Sequence, residues 1–264
     1  MIGRYTRKAT GALCVLVMVF PIAVVCSGID TEKSDVVDLT RPLGSGFGSF
    51  IVVEEIGGDE ATGGVIEERL DFAYDPGLTE ATVLVSPRRW VEDGATLDDV
   101  PALSLVVPVV IIDATDLAGG SGGFALDAGT IMRYETFAGE IPEGAAVLVA
   151  LTPGEVGTGA PPDIASGPSA YSGLAPDAVK FLVEKRHVSI IGIDTPGIDP
   201  SERADNEAAT ILAEAGGLAL VNLRGVDELP SRGGVMVISP LAMDGAEAVP
   251  ARVFVLVPKM PSTE

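Results

Sequence analysis

Four groups of residues carry side chains with the types and spacing to do chemistry. The first is a lone histidine, His187, the single imidazole of the chain. One imidazole excludes any mechanism that needs several; as a general base it would have Asp194 or Asp199 to orient it. The second is GGSGG at residues 119–123, which formally matches the G-x-S-x-G nucleophile elbow around Ser121. An elbow needs its serine directly at a strand end with a helix straight after it. Here residues 113–118 intervene, and five small residues read more simply as a loop. In the third group Asp194 and Asp199 bracket Thr195-Pro196-Gly197. Two carboxylates at that spacing could bind Ca²⁺, act as acid and base, or accept backbone N–H bonds. The fourth is Arg88-Arg89-Trp90, a guanidinium pair beside an aromatic ring, suited either to clamping a carboxylate or to pairing with surface acids. The run GSGFG at 44–48 lacks the lysine and the following helix of a phosphate loop and reads as a turn.

The frame that must hold these groups is bounded by composition. The 264 residues are 47% hydrophobic and 21% charged, enough apolar material for a core and incompatible with a disordered chain. Lys and Arg number 17 against 38 Asp and Glu, a net charge of −21. A surface that acidic repels phosphate backbones, which excludes nucleic acid as a partner. The two cysteines, Cys14 and Cys26, cannot build a thiolate zinc site by themselves.

Arg4, Arg7 and Lys8 precede an apolar run over 12–26 that is broken only by Pro21 and followed by small residues. This pattern predicts a secretory signal over residues 1–27, with cleavage near Ser27, and an exported protein, extracellular or in the cell envelope. An uncleaved N-terminal anchor and a lipid-modified Cys26 are the alternative readings of the same segment. Membrane contact is expected through this segment alone. Both cysteines lie in it, so the mature chain would contain no disulfide.

Residues 28–35 read as a linker and 36–264 as one α/β domain. Apolar or β-branched runs predict strands over 36–39, 50–56, 82–85, 103–113, 145–151, 188–194, 218–223, 235–240 and 253–258. One-sided patterns predict helices over 127–137 and 175–185, and a third from a Ser201 cap to residue 215, ended by Gly216-Gly217. Strands and helices alternate only in part, which predicts a mixed rather than a wholly parallel sheet.

Several strings, in collinear order, resemble one family. They are VDLTRPL at 37–43, LVVPVVIIDATD at 105–116, GLAPDAVKFLVEKRHVSIIGIDTPGIDP at 173–200, LALVNLRGVDELP at 218–230 and GGVMVISPLAMDGAEAVPARVFVLV at 233–257. Together they make the chain similar, over about residues 36–258, to the metal-dependent cyclases that include kynurenine formamidase and isatin hydrolase. The resemblance implies a swivelling β/β/α fold with a mixed β-sheet core, a homo-oligomer, and hydrolysis of amide or lactam C–N bonds assisted by a divalent metal such as Zn or Mn. The 194–199 loop is mainly structural in that family, its carboxylates accepting backbone N–H bonds.

The family's metal motif, H-x-G-T-H-x-D-x-P-x-H, falls on residues 79–89. Its histidine positions are occupied by Thr79, Val83 and Arg89, and its aspartate position by Val85; Thr82 and Pro87 keep the family's identity. The family's late glutamate falls on Val221 and its late histidine on or near Ala209. Valine offers no lone pair, and Arg89 would bring fixed positive charge to a place meant for a dication. No metal cofactor is therefore expected. The leading expectation is an exported, non-catalytic family member that binds a small anionic molecule through Thr79, Thr82, Arg88, Arg89 and Trp90. One alternative is an arylformamidase-like hydrolase with a site rearranged onto Glu80, Asp205, Glu207 or Asn222. A second is a cell-envelope interaction protein.

Overall fold

The computed structural model describes residues 34–41, 49–56, 67–74, 81–119, 123–152, 170–203 and 205–259. Twelve strands are described: β1 (Ser34–Asp38), β2 (Ser49–Ile56), β3 (Glu67–Tyr74), β4 (Val83–Val85), β5 (Val106–Asp113), β6 (Ala125–Leu126), β7 (Ala146–Ala150), β8 (Gly173–Leu174), β9 (Ile190–Ile193), β10 (Leu218–Val221), β11 (Gly234–Pro240) and β12 (Ala248–Pro258). The helices are α1 (Thr115–Ala118), α2 (Ala128–Ala138), α3 (Pro176–Arg186) and α4 (Glu207–Glu214).

Eight strands form one sheet in the order β1-β12-β11-β5-β7-β9-β10-β4. The run β5-β7-β9-β10 is parallel, while β11, β12, β1 and β4 join antiparallel, so the sheet is mixed as the sequence predicts. The early part of β12 also pairs with β4, matching Ala248 with Val85 and Pro250 with Val83. That second pairing closes the sheet on itself. β2 and β3 form a separate antiparallel ribbon, and β6 pairs with β8 in parallel.

Closure explains why strands read as continuous apolar runs. Successive side chains point to opposite faces of a strand, and in β7, β9, β10 and the second half of β5 both faces are covered. Val107, Val109 and Ile111 of β5 point inside with Leu148, Leu220, Met236, Val253 and Val255. Val110 and Ile112 point outward under the helices, beside Val147, Val149, Ile191 and Ile193. Ile131 of α2, Val179 and Leu182 of α3 and Leu212 of α4 cover that outer layer.

The structure alters three expectations. The third helix starts at Glu207, well after Ser201. Ser201 does not cap it; its hydroxyl accepts a hydrogen bond from the Tyr171 N–H at 2.9 Å. β12 begins at Ala248, earlier than residue 253, because its first residues find a second partner in β4. β3 was not foreseen, although the alternation of Leu70, Phe72 and Tyr74 in the sequence is its signal. Elsewhere the predicted helices and strands match to within a few residues at their ends.

Candidate functional site

β4 and the turn after it carry most of the positions singled out by the metal-motif alignment. β4 lies between β10 and the start of β12, so its backbone is fully engaged. Val83 and Val85 project to the helix-covered side, 0% and 7% exposed. Val221 of β10 and Ala209 of α4 project into the same apolar cluster, at 6% and 2% exposure. The four aligned positions thus converge in space, although they come from three elements. What converges is aliphatic and offers no electron pair to a cation. A metal needs several oxygen, nitrogen or sulfur donors at once, and these residues do not fit one. Among the described residues no group of three or more His, Cys, Asp or Glu is placed to hold a metal ion.

The polar residues around this cluster serve the fold. Thr82 is 1% exposed. Its hydroxyl accepts from the Arg41 N–H at 2.7 Å and donates to the Asn222 carbonyl at 2.8 Å. Asn222 adopts a left-handed backbone (φ 56°), and its side-chain amide donates to the Ala81 carbonyl at 3.1 Å. Thr82 and Asn222 therefore tie β4 to the end of β10, and the Thr82 hydroxyl gives its one proton to the Asn222 carbonyl. Trp90 packs against the apolar cluster. Thr79 and Glu80 lie outside the described residues.

Arg88 and Arg89 are on the surface turn Pro87–Arg89. The Arg88 guanidinium donates to the Glu92 carbonyl. Arg89 stands 3.8 Å from the Glu247 carboxylate, with the two side chains 41% and 44% exposed. An ion pair that open and that long contributes under about 1 kcal/mol, so it yields readily to a competing anion. Ser86, just before the turn, is fully buried, and its hydroxyl has no hydrogen-bond partner among the described residues.

The 194–199 loop behaves as the resemblance implies. The Asp194 carboxylate accepts from the Leu151 N–H at 3.0 Å and from the Thr152 N–H at 2.8 Å, joining the ends of β9 and β7. Burial pushes its pKa up to about 6; the N–H donors oppose the rise and the Asp227 charge adds to it. Asp199 is 4% exposed and accepts from the Ala208 and Ala209 N–H groups at 2.8 and 2.9 Å. These are first-turn donors of α4, whose Asn206 stands in a left-handed conformation and supplies no side-chain cap. Asp199 caps that helix from a distance. Gly173 of β8 crosses this loop so closely that a Cβ there would lie 2.5 Å from the Ile198 carbonyl oxygen.

The remaining candidates stand apart. His187 is the exposed residue ending α3, in a left-handed conformation (φ 51°). Helix α1 separates β5 from the 119–123 stretch, and Ser121 lies outside the described residues, as do residues 44–48. Asp205 and Glu207, the carboxylates of the rearranged-site alternative, are both held by Arg203, at 3.1 and 2.6 Å, on an exposed surface. Among the described residues no helix is long and apolar enough to cross a membrane; residues 1–33, with the predicted signal segment, lie outside them.

The Cyclase family model matches residues 37–200. The isatin hydrolase of Roseibium aggregatum is 28% identical over 208 residues, covering 69% of this chain and 73% of that protein. Among solved structures, isatin hydrolase A from Labrenzia aggregata bound to benzyl benzoate superposes with a TM-score of 0.71 at 27% identity, covering 88% of this chain and 97% of that one. Isatin hydrolase A from Ralstonia solanacearum, at 23% identity and a TM-score of 0.68, covers 96% of this chain and 100% of its own and is a likeness of fold.

Proposed function

The chain belongs to the cyclase family, and we propose that it is a member without the family's metal and without its hydrolysis. The observation that carries this reading is the convergence of Val83, Val85, Ala209 and Val221 in one buried apolar cluster with Trp90 packed against it. Water activation and carbonyl polarisation, the two tasks of a hydrolytic metal, have no ligand set among the described residues. The rearranged hydrolase is less well supported, because Asp205 and Glu207 are engaged with Arg203 and Asn222 with the β4–β10 junction.

The part left for a ligand is the exposed turn with Arg88 and Arg89, and we assign it weak binding of small carboxylates. Export to the envelope or beyond, suggested by the basic and apolar start of the chain, belongs to the same proposal.

The test is metal content. After exposure to Mn²⁺ and Zn²⁺ and desalting, the purified protein is expected to retain less than about a tenth of an equivalent per chain, because a multi-ligand site holds metal through desalting and a valine-lined cluster does not. Retention near one equivalent overturns the reading and returns the hydrolase to first place.

A further inference from the structure

Helices α2 and α3 run side by side in the same direction. The strands that lead into them, β6 and β8, pair in parallel. The Ala128 N–H at the start of α2 donates to Asp177 at the start of α3, and Glu135 near the end of α2 holds Arg186 at the end of α3. Where the two C-termini meet lies a cleft of about 560 Å³, within the size range of small-ligand sites. Its walls are residues 140–143, which lead into β7, and residues 185–187, which lead into β9. The breaks in the described chain at 120–122, 153–169 and 204 come instead after the C-terminal ends of β5, β7 and β9. Residues 41 and 81 are also at that opposite end, beside Thr82 and Asn222.

The back of the cleft is a fixed frame. Arg186 donates twice to the Glu135 carboxylate, at 2.7 and 2.8 Å, with the two side chains only 18% and 10% exposed. It also reaches Glu140 at 3.1 Å and lies over the Phe181 ring. Glu135 accepts from the Ile141 N–H at 2.9 Å, which pins the opposite wall to the same pair. The mouth carries charge and polarity that the fold does not use. Lys185 and His187 on one wall and Glu143 on the other are exposed, and their side chains have no ion pair or hydrogen bond among the described residues. His187 also holds a left-handed conformation (φ 51°), whereas the turns that end α1, α2 and α4 place Gly119, Gly139 and Gly216 at their positive-φ positions. Glycine avoids the steric cost of that conformation; here the position keeps an imidazole, and with it a ring N–H donor at the cleft.

Charge decides the ligand class. A simple anion meets Glu140 and Glu143 at the cleft and a chain of net charge −21 around it. A simple cation meets Lys185 beside Arg186. A molecule that carries both charges can place each against its opposite and avoids both repulsions. We propose that this cleft binds a small zwitterion of the amino-acid class, its carboxylate on Lys185 Nζ and a His187 ring N–H and its ammonium on Glu143. Glu140 is already held by Arg186, which leaves Glu143 as the free acceptor. The site is separate from the Arg88–Arg89 turn and does not rest on the function assigned to it.

His187 is the single histidine of the chain, so its ring protons give isolated ¹H NMR signals in the untagged full-length protein. The test is a titration at constant pH in an Arg88→Ala, Arg89→Ala background, which removes the other anion-binding group. Glycine, 4-aminobutyrate and 6-aminohexanoate are the probes, because they span short to long separations of the two charges. At least one is expected to move the His187 signals with a dissociation constant of about a millimolar. It should bind about tenfold more tightly than its matched carboxylate and amine, which for 6-aminohexanoate are hexanoate and hexylamine. Lys185→Met and Glu143→Gln should each weaken it about tenfold, the loss of one charge-assisted contact. Both replace exposed side chains and leave the Arg186–Glu135 pair intact. Zwitterions that bind no more tightly than their single-charge analogues overturn the proposal. A His187 response that survives unchanged in the Lys185→Met, Glu143→Gln double variant overturns it too, because the ligand is then held elsewhere.

Discussion

Replacing Asp194 by asparagine tests the balance of forces at the β7–β9 junction. The wild-type carboxyl titrates at about 6 in the folded chain, against 3.8 for an unperturbed aspartate, with desolvation the main cause. A raised folded pKa means that the native state holds its proton more tightly than the unfolded chain. The resulting stabilisation is fully present below pH 3.8 and is lost as pH rises through about 6. The full shift corresponds to about 3 kcal/mol. Between about pH 7.5 and about pH 5 the group contributes about 1.4 kcal/mol of that, or roughly 4 °C in melting temperature for a domain of this size. Other carboxylates titrate over the same range, but they are common to wild type and variant and cancel in the difference. The carboxamide of the Asp194→Asn variant has no proton to gain, so the stability of wild type minus that of the variant should grow by about 1.4 kcal/mol on acidification. Urea unfolding at the two pH values measures it. A difference that stays constant refutes the reasoning. One that shrinks would mean that the Leu151 and Thr152 N–H groups outweigh burial and that the carboxylate is the favoured form.

Two further outcomes are expected. Asp199→Ala should destabilise by about 2–4 kcal/mol in urea unfolding at neutral pH, because it strands two buried N–H groups of α4; Asp199→Asn, which keeps one acceptor oxygen, should cost about half as much. A loss below about 0.5 kcal/mol for the alanine variant would mean that α4 is held by packing alone. Titration with benzoate, followed by the fluorescence of Trp90, the sole tryptophan, should show millimolar binding, the level expected of an exposed guanidinium pair, that vanishes in an Arg88→Ala, Arg89→Ala double variant. An unchanged titration would detach the arginine pair from ligand binding.

Most of the secondary structure was legible because it is local. The apolar runs at β5, β7, β9 and β10 announce strands buried on both faces, and the one-sided pattern after Pro176 announces α3. The helix α4 was misjudged at its start because its cap is Asp199, a residue outside the helix that reaches two N–H groups only after the 194–199 loop has folded. The Thr82 hydroxyl likewise meets Arg41 and Asn222, both distant in sequence, only in the folded chain.

By itself the sequence determined that this is an acidic α/β chain with the strings of the cyclase family. Composition and short spacings are properties of the covalent chain and need no folding to be read. The tertiary structure decided that β12 pairs twice and closes the sheet, that Val83, Val85, Ala209 and Val221 meet in one cluster, and that the outer face of β1, β12 and β11 has no helix among the described residues packed on it. Those outcomes depend on which strand edges meet and which faces the helices reach. Such pairings are settled by burying area between residues up to more than a hundred positions apart, which local periodicity does not encode.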